Sequence, residues 1–568
     1  MRTLASPVTA ALLAALLGPV ALATADPLVL DYSFQAPELS KVDIAGTVYD
    51  RITMPGAPNG GYPGHPALPA TGARILLPYG TDVAAVEVIP GEKISLGAGL
   101  MIEPVPPPAR LSEMPDAAIP PTPDPAVYSL ATAWPGTRFE QVGTYGFRGY
   151  QILVLKLQPV EYVPASGELY YYTNLTVVVH TMQARELSPL LRGLPEDAQE
   201  VQAKVDNPEQ IATYAGMGVG GGRAFDLLII TTDALASAFQ PLVNYHNAHG
   251  IPTEIRTITQ IGSNNPDVIR NYIKDRYLYD GINYVIIGAD DDAIPAKDLY
   301  VDSQWGYVEY NMPGDIYFAC LDGTWNFDGD SYWGEPNDGP GGGDVDLIAE
   351  VYVGRACADN TTEVNRFVNK TIWYLNGQHS QINKVLLVGE YLGFGGVAEY
   401  ASSYLNELID GSSAHGYTTV GFPTSAYQVN TLYDAPGYDW PKSELINRIN
   451  AGLHVVNHLG HGDTNYAMKL YNSDLTSSIN NNDFCFVYSQ TCLAGHFDGT
   501  ECWAETMNIK IDKGAFAVIM NARYGWGQFN STDGPSQRFN REFWDAVFGE
   551  GRMGLGAANH DSKEDNLY

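Results

Sequence analysis

Cysteine is scarce in this sequence, and its spacing excludes one common kind of site. The chain has five cysteines, and no two of them form a CxxC pair, so a structural zinc site is not expected. Their odd number leaves at least one thiol unpaired. The sequence does not decide which disulfides, if any, form among Cys320, Cys357, Cys485, Cys492 and Cys502.

Positive charge is also sparse. Lysine and arginine together number 32 against 65 aspartates and glutamates, which gives a formal net charge of −33. Because phosphate recognition needs clustered basic side chains, nucleic-acid binding is disfavoured. The acidic excess is typical of a solvated surface that keeps an exported protein soluble, and it would also attract basic substrates or cations.

Long hydrophobic runs are missing beyond the first residues. Residues 1–25 combine an early Arg2, a short apolar core and an A-x-A ending at Ala25, which is typical of a cleaved secretory signal peptide. A lone membrane anchor is the alternative interpretation. No later stretch reaches the length of a transmembrane helix. We therefore expect a secreted protein, extracellular or at the cell surface, with no membrane span after signal cleavage.

At 568 residues the chain should contain two or three domains. Short alternating runs between Gly/Pro turns predict an all-β, sandwich-like domain over residues 26–186, in which the proline-rich stretch 104–125 is an extended loop or linker. Residues 187–223 are polar and then Gly-rich, which predicts a linker. Beyond it, alternating strands and helices predict an α/β fold with a mainly parallel sheet, divided into subdomains 224–375 and 376–568.

Two reactive side chains follow buried apolar runs in the second subdomain. His461 lies in a Gly-His-Gly turn after Val455 and Val456, and Cys492 follows the run from Phe484 to Tyr488. Because ligands of open α/β sheets collect at the carboxyl ends of the strands, these side chains should meet. A histidine that deprotonates a nearby thiol produces a nucleophile. The sequence therefore predicts a Cys492 nucleophile with His461 as its base.

The neighbouring residues have simpler interpretations. His454 and His458 share one face of their strand and are predicted to be core or structural residues. A zinc site built from them and His461 would require a bend in the strand. Cys485, inside FCFVY, fits an ordinary buried cysteine.

Several motifs resemble those of the gingipain-type cysteine peptidases, a family with the caspase-like α/β fold. They are GHG around His461, Cys-x-x-Gly at 492–495, CWAE at 502–505, GAFAVI at 514–519, NARYGWG at 521–527, YVIIGADDDAIPA at 284–296 and DLIAEVYVGR at 346–355. They occur in the family's order over about 225–560. The stretch GHPALPATGARILLPYG resembles the family's inhibitory propeptide, which assigns that role to the all-β domain.

The resemblance implies roles for individual residues. His461 would be the base and Cys492 the nucleophile, with the backbone N–H groups of Gly462 and Cys492 forming the oxyanion hole. Asp346 would line the primary specificity pocket and pair with a substrate Arg or Lys. Trp526 would pack against that pocket. A solvent contact for Asp346 and an ordinary core position for Trp526 are the alternatives.

An acidic, Gly-rich loop lies between these motifs. Oxygen ligands crowd into residues 321–344, a composition that suits calcium, although the spacing is not that of an EF-hand. A solvated acidic loop is the alternative, and the resemblance favours calcium. Catalysis itself should need no cofactor. The candidate ligands are Asp322, Asn326, Asp328, Asp330 and Glu335.

Together these features predict a secreted cysteine endopeptidase zymogen that cleaves proteins or peptides after Arg or Lys and is inhibited by its own propeptide. Arg223, at the end of the Gly-rich linker, is the candidate processing site. A sorting transpeptidase using the same dyad and an inactive surface-binding module are the alternatives. Family catalytic domains usually continue beyond the position of Tyr568, and the sequence does not decide whether this end is truncated.

Overall fold

The computed structural model describes residues 26–112, 118–220, 223–303, 305–339, 344–377 and 379–568. The predicted signal peptide, residues 1–25, lies outside this range. Within it, no helix is long and apolar enough to cross a membrane.

The N-terminal region is built from antiparallel strands, as predicted. Three three-stranded sheets have the orders β1-β14-β7, β10-β11-β6 and β12-β13-β8, and β2-β3 and β4-β5 form hairpins. Alternate residues of facing strands, such as Ile75, Leu153 and Val177, fill a shared core. The bounds are β1 Leu28–Ser33, β2 Glu38–Ile44, β3 Thr47–Thr53, β4 Asn59–Gly60, β5 Leu68–Pro69, β6 Thr71–Leu76, β7 Thr81–Pro90, β8 Lys93–Gly97, β9 Pro108–Arg110, β10 Phe139–Phe147, β11 Tyr150–Leu157, β12 Val160–Val163, β13 Glu168–Tyr172 and β14 Asn174–Gln183, with the short helix α1 Pro125–Tyr128.

The expectation of a loose linker over residues 187–223 is wrong for most of that segment. It contains helix α2 (Pro195–Lys204) and a 3₁₀ helix (Pro208–Tyr214). Asp197 of α2 is fully buried and accepts hydrogen bonds from Arg148 of the β-domain at 2.8 Å and from Arg192 at 2.9 Å. A buried carboxylate between two guanidiniums explains why this segment is structured, because the opposite charges pair with one another.

The α/β region has two parallel sheets where the sequence predicted one mainly parallel sheet. The first sheet has the order β16-β15-β17-β20 and the second β22-β21-β23-β27-β28. In the second sheet, successive residues of one strand contribute to opposite core layers. Val455 packs with Phe486 and Trp544, while Val456 packs on the other side with Trp503. Burial on both faces accounts for the continuous apolar runs in its strands.

The strands of this region are β15 Leu227–Thr231, β16 Thr253–Thr257, β17 Tyr284–Gly288, β18 Lys297–Asp302, β19 Val308–Gly314, β20 Tyr352–Arg355, β21 Lys384–Gly389, β22 Gln428–Tyr433, β23 Val455–Leu459, β24 Gly462–Asp463, β25 Tyr466–Ala467, β26 Leu470–Tyr471, β27 Cys485–Ser489, β28 Ala515–Ile519 and β29 Trp526–Gln528. The helices are α3 Ala236–Ala248, α4 Ile258–Ile261, α5 Pro266–Asp280, α6 Ile316–Ala319, α7 Thr361–Leu375, α8 Ser402–Glu407, α9 Lys442–Asn450, α10 Asn472–Ser478, α11 Trp503–Glu505, α12 Pro535–Phe548 and α13 Leu555–Glu564.

Part of the proline-rich stretch, predicted as a loop or linker, forms a strand with the α/β region. Strand β9 pairs antiparallel with β29, placing Arg110 opposite Trp526 and Pro108 opposite Gln528. The stretch therefore reaches from the β-domain into the α/β region.

Candidate active site

The turns that carry His461 and Cys492 lie side by side. They follow β23 and β27, which are neighbouring parallel strands with His458 in register with Ser489. A Cβ added to Gly462 would lie 2.1 Å from Oγ1 of Thr491, the residue before Cys492. Glycine is therefore required for this close approach, which brings the turns of His461 and Cys492 together.

The imidazole of His461 lies between two carbonyl oxygens. Its Nε2 is 2.9 Å from the carbonyl oxygen of Tyr391, and its Nδ1 is 2.5 Å from that of Leu111. Because a carbonyl only accepts, both bonds can form together only when both ring nitrogens carry protons. Leu111 belongs to the N-terminal region, so a carbonyl oxygen of that region is the hydrogen-bond partner of Nδ1.

The thiol of Cys492 is buried beneath the same segment. Its Sγ accepts a hydrogen bond from the N–H of Gly525 at 3.2 Å and lies 3.5 Å from that residue's carbonyl oxygen. Burial raises the pKa of the Cys492 thiol, and hydrogen bonds from Ser112, Gly525 and Leu111 oppose this rise. The net direction favours the protonated thiol, which is the less reactive form.

Glu390 is a residue of the site that sequence reasoning missed. Fully enclosed at the end of β21, it accepts a hydrogen bond from the backbone N–H of His461 at 3.0 Å, and Nε2 of His458 lies 3.2 Å from its other oxygen. Burial raises the pKa of Glu390, but the bonds from His458 and His461 outweigh it and lower the pKa. The signal was present, because KVLLVGE is another apolar strand followed by a reactive side chain.

The segment around Arg110 lies along the cleft as an added strand. Besides the β9–β29 pairing, the N–H of Leu111 donates to the carbonyl oxygen of Gly525 at 2.9 Å. The chain then passes His461 and Cys492. Main-chain hydrogen bonds to an added strand are also the way in which a sheet edge binds an extended peptide.

The guanidinium of Arg110 lies in an aromatic cage formed by Tyr307, Tyr524 and Trp526. Its central carbon is 4.2 Å from the ring centroid of Tyr524, 5.2 Å from that of Tyr307 and 5.6 Å from that of Trp526. Such distances give a cation–π attraction to each ring. The hydroxyl of Tyr307 donates to Glu309 at 3.0 Å, which adds a carboxylate behind the cage. Trp526 is one wall of this cage, and its predicted role beside a specificity pocket stays a prediction.

A cavity of about 850 Å³ opens beside His461. Its lining includes Ser112, Glu390, Tyr391, His461, Gly462 and Tyr524. The predicted oxyanion-hole residue Gly462 therefore faces the same space as the base. The role of its N–H group stays a prediction.

Asp346 is not in this cleft, and its predicted contact with substrate needs correction. It is 3% exposed, beneath strand β10, where its two oxygens accept the N–H groups of Gly146 at 2.5 Å and Ile348 at 2.9 Å. Burial raises the pKa of Asp346 well above its usual value, and the neighbouring Asp322 adds to the rise. The position before β20 turns the side chain toward Gly146 of the β-domain, away from the aromatic cage around Arg110.

The predicted calcium ligands separate into two places. Carboxylate oxygens of Asp328, Asp330 and Glu335 lie within 4.8 Å of one another, and Nδ2 of Asn326 donates to the carbonyl oxygen of Asp330 at 3.1 Å. Burial and the carboxylates of Asp330, Asp338 and Asp328 raise the pKa of Glu335, as expected where like charges face each other. Asp322 lies apart from this group, beside Asp346, so it does not fit the same ion.

Arg223 is a surface residue of the Gly-rich segment. Its guanidinium pairs with Glu196 at 3.1 Å and with Asp226, and its side chain is 46% exposed.

All five cysteines lie in the described part of the chain, and each is a free thiol.

Comparison with known families decides the classification. The model of peptidase family C25 matches residues 222–568, and the model of the C25 propeptide matches residues 22–194. The chain belongs to peptidase family C25. Its resemblance to gingipain-type peptidases with a propeptide is therefore confirmed, as is the α/β catalytic region preceded by an all-β region.

Curated C25 relatives include Lys-gingipain of Porphyromonas gingivalis, 22% identical over 521 residues that cover 88% of this chain and 27% of the relative. Gingipain R1 of the same organism is 21% identical over 394 residues, covering 67% of this chain and 35% of the relative. The chain thus spans about a quarter to a third of the length of these relatives.

Solved structures of similar proteins include that of the Arg-specific cysteine proteinase gingipain R. It covers 61% of this chain and 76% of its own, at 17% identity and a TM-score of 0.46. A structure describing zymogenic latency of gingipain K from P. gingivalis covers 28% of this chain and 88% of its own, at 24% identity and a TM-score of 0.25.

Proposed function

We propose that this C25 chain is the zymogen of a secreted cysteine endopeptidase that cleaves after basic residues, with Arg preferred. The observation that supports it most is the guanidinium of Arg110, which lies over the ring of Tyr524 at 4.2 Å in a segment laid along the cleft. A peptide with Arg in that position would make the same contacts. The name of the relative Lys-gingipain agrees with cleavage after a basic residue, and the choice of Arg rests on Arg110 alone.

The proposed reaction uses the dyad and a water molecule. His461 takes the proton of Cys492, whose sulfur attacks the scissile carbonyl carbon and forms a tetrahedral intermediate. Backbone N–H groups of Gly462 and Cys492 would stabilise the oxyanion. The imidazolium then protonates the leaving amine, leaving a thioester that water hydrolyses to release the acid and restore the thiol.

The propeptide would keep this site silent by occupying it. Leu111 takes up Nδ1 of His461, and hydrogen bonds from Leu111 and Ser112 reach the thiol of Cys492. Cutting at the exposed Arg223, which an Arg-specific peptidase could perform on its own chain, would separate propeptide from catalytic region. Residues 1–25, as a signal peptide, would direct export.

The direct test is turnover of chromogenic peptides. Full-length protein, after activation, should hydrolyse Arg-ended peptides faster than Lys-ended ones, and Cys492→Ala should abolish both activities. Arg223→Gln should delay the appearance of a mature N-terminus at Ala224. Equal turnover by wild type and Cys492→Ala would refute the proposed mechanism.

A further inference from the structure

A buried chain of hydrogen bonds connects the two catalytic turns from below. Nδ1 of His458 lies 2.8 Å from Oγ of Ser489, and that oxygen accepts the N–H of Thr491 at 3.3 Å. On its other side the His458 ring reaches Glu390 at 3.2 Å, and Glu390 holds the N–H of His461 at 3.0 Å. The chain thus begins at the base and ends at the residue before the nucleophile.

One arrangement of protons satisfies every member of the chain. The N–H of Thr491 donates to Ser489, the hydroxyl of Ser489 donates to Nδ1 of His458, and Nε2–H of His458 donates to an ionised Glu390. The direction in which Glu390's pKa is shifted, below its usual value, agrees with the ionised form. In this arrangement the hydrogen bonds of the His458 ring to Ser489 and Glu390 bridge the two strands.

The surroundings leave little freedom for another arrangement. His458 is 0% exposed and Ser489 is 1% exposed. A Cβ on Gly460 would lie 2.5 Å from Nε2 of His458 and 2.5 Å from Cδ of Glu390, so only glycine lets the chain pass over this pair. Close packing of this kind keeps polar groups in one geometry.

We propose that His458 and Ser489 are positioning residues that fix the turn of His461 relative to the turn of Cys492. This inference rests on the proposed peptidase function for its kinetic readout. In the described contacts, neither residue touches segment 108–112, which lies along the cleft. Their effect passes through backbone groups, the N–H of His461 by way of Glu390 and the N–H of Thr491 directly.

The kinetic test compares two buried serines. Ser489→Ala breaks the bridge, and the matched control Ser562→Ala removes a buried hydroxyl that donates within helix α13 to the carbonyl oxygen of Asn559 at 2.9 Å. In the activated enzyme, Ser489→Ala should lower kcat for an Arg-ended peptide about ten- to hundred-fold with little change in KM, because the reacting atoms are misplaced by a fraction of an ångström. The pH profile of kcat/KM should shift, Ser489→Thr should recover most of the loss, and Ser562→Ala should change neither.

A second readout does not depend on activity. In the inactive Cys492→Ala zymogen, hydrogen exchange of peptides carrying the amides of His461 and Thr491 should speed up when Ser489→Ala or His458→Gln is added. If wild type turns over no substrate, the proposed function fails, and this exchange measurement still decides the bridge. Unchanged exchange, or a Ser489→Ala enzyme with lower thermal stability but unaltered kcat and pH profile, would overturn the proposal.

Discussion

The hydrogen bond between Nε2 of His461 and the carbonyl oxygen of Tyr391 leaves Nδ1 as the ring nitrogen that would perform the proposed chemistry. This bond holds the Nε2 edge of the ring against the protein, so Nδ1 is the atom that faces the cleft. In the zymogen that atom meets Leu111, and departure of the propeptide releases it. A backbone carbonyl therefore takes the orienting part that a carboxylate plays in many triads.

The aromatic cage gives the first prediction. Tyr524→Leu should weaken recognition of an Arg side chain, because a cation over an aromatic face gains about 0.5–2 kcal/mol. We expect KM for Arg-ended peptides to rise several-fold and the preference for Arg over neutral side chains to narrow. The control Tyr245→Leu removes an aromatic ring from helix α3, outside the cleft. Unchanged KM in Tyr524→Leu would count against the cage.

At this scale the sequence identified some residues and missed others for physical reasons. His461 and Cys492 follow apolar strands, and strand ends of a parallel sheet converge, so their meeting was predictable. The prediction for Asp346 was wrong because a motif locates a residue along the backbone. It does not show which domain will cover the side chain. The cage needs Tyr307 from one hairpin and Tyr524 from a distant loop, a pairing that only the fold makes.

Among the elements, helix α2 changes how the connection between the two regions is understood. Its Asp197 is buried between two arginines that come from separate parts of the chain. A polar, Gly-rich composition suggested a linker, yet one satisfied charge network gives the segment a fixed place.

Strand β9 was missed for a similar reason. Prolines predict a loop, but an edge partner such as β29 accepts them.

This network supports a stability prediction. Asp197→Asn should lower the free energy of unfolding by about 3–5 kcal/mol, because it leaves two buried guanidiniums without their counter-charge. Urea unfolding in the Cys492→Ala background, which prevents self-cutting, is the measurement. The neighbouring Glu196→Gln, at an exposed pair with Arg223, should cost little. Similar losses for both variants would contradict the account.

The acidic loop supports a prediction about metal. If Asp328, Asp330 and Glu335 hold calcium, adding Ca²⁺ should raise the melting temperature of the Cys492→Ala zymogen, and chelation should reverse the rise. Asp330→Asn should remove most of this response, and Asp275→Asn, at an exposed position of α5, should keep it. A response that survives Asp330→Asn would place the ion elsewhere.

For the whole molecule, the contact between propeptide and catalytic region should depend on pH. Burial raises the pKa values of Asp346 and Glu350 well above their usual range, where Gly146 of β10 and Arg148 just after it donate backbone N–H groups to the two carboxyls. The folded zymogen therefore holds protons that the unfolded chain releases. Their stabilising contribution is fully present below the ordinary carboxyl pKa of about 4 and is lost as pH rises through the raised values.

The corresponding experiment follows the melting temperature of the Cys492→Ala zymogen as a function of pH. Asp346→Asn keeps a neutral side chain at every pH, so it should flatten the decline on raising the pH from about 4 toward 8. The control Asp275→Asn should show the same decline of melting temperature with pH as the Cys492→Ala zymogen without it. A steeper decline in Asp346→Asn would show that the carboxyl is ionised in the zymogen.

The most direct measurement for the central claim is labelling by an Arg-ended acyloxymethyl ketone, followed by mass spectrometry of the modified peptide. We expect a single adduct on Cys492 that forms in the activated protein, forms slowly in the intact zymogen, and forms faster in the zymogen when Arg110→Ala weakens the binding of the propeptide segment in the cleft. An adduct on another residue, or equal labelling of intact and activated protein, would contradict a Cys492–His461 site covered by its own propeptide.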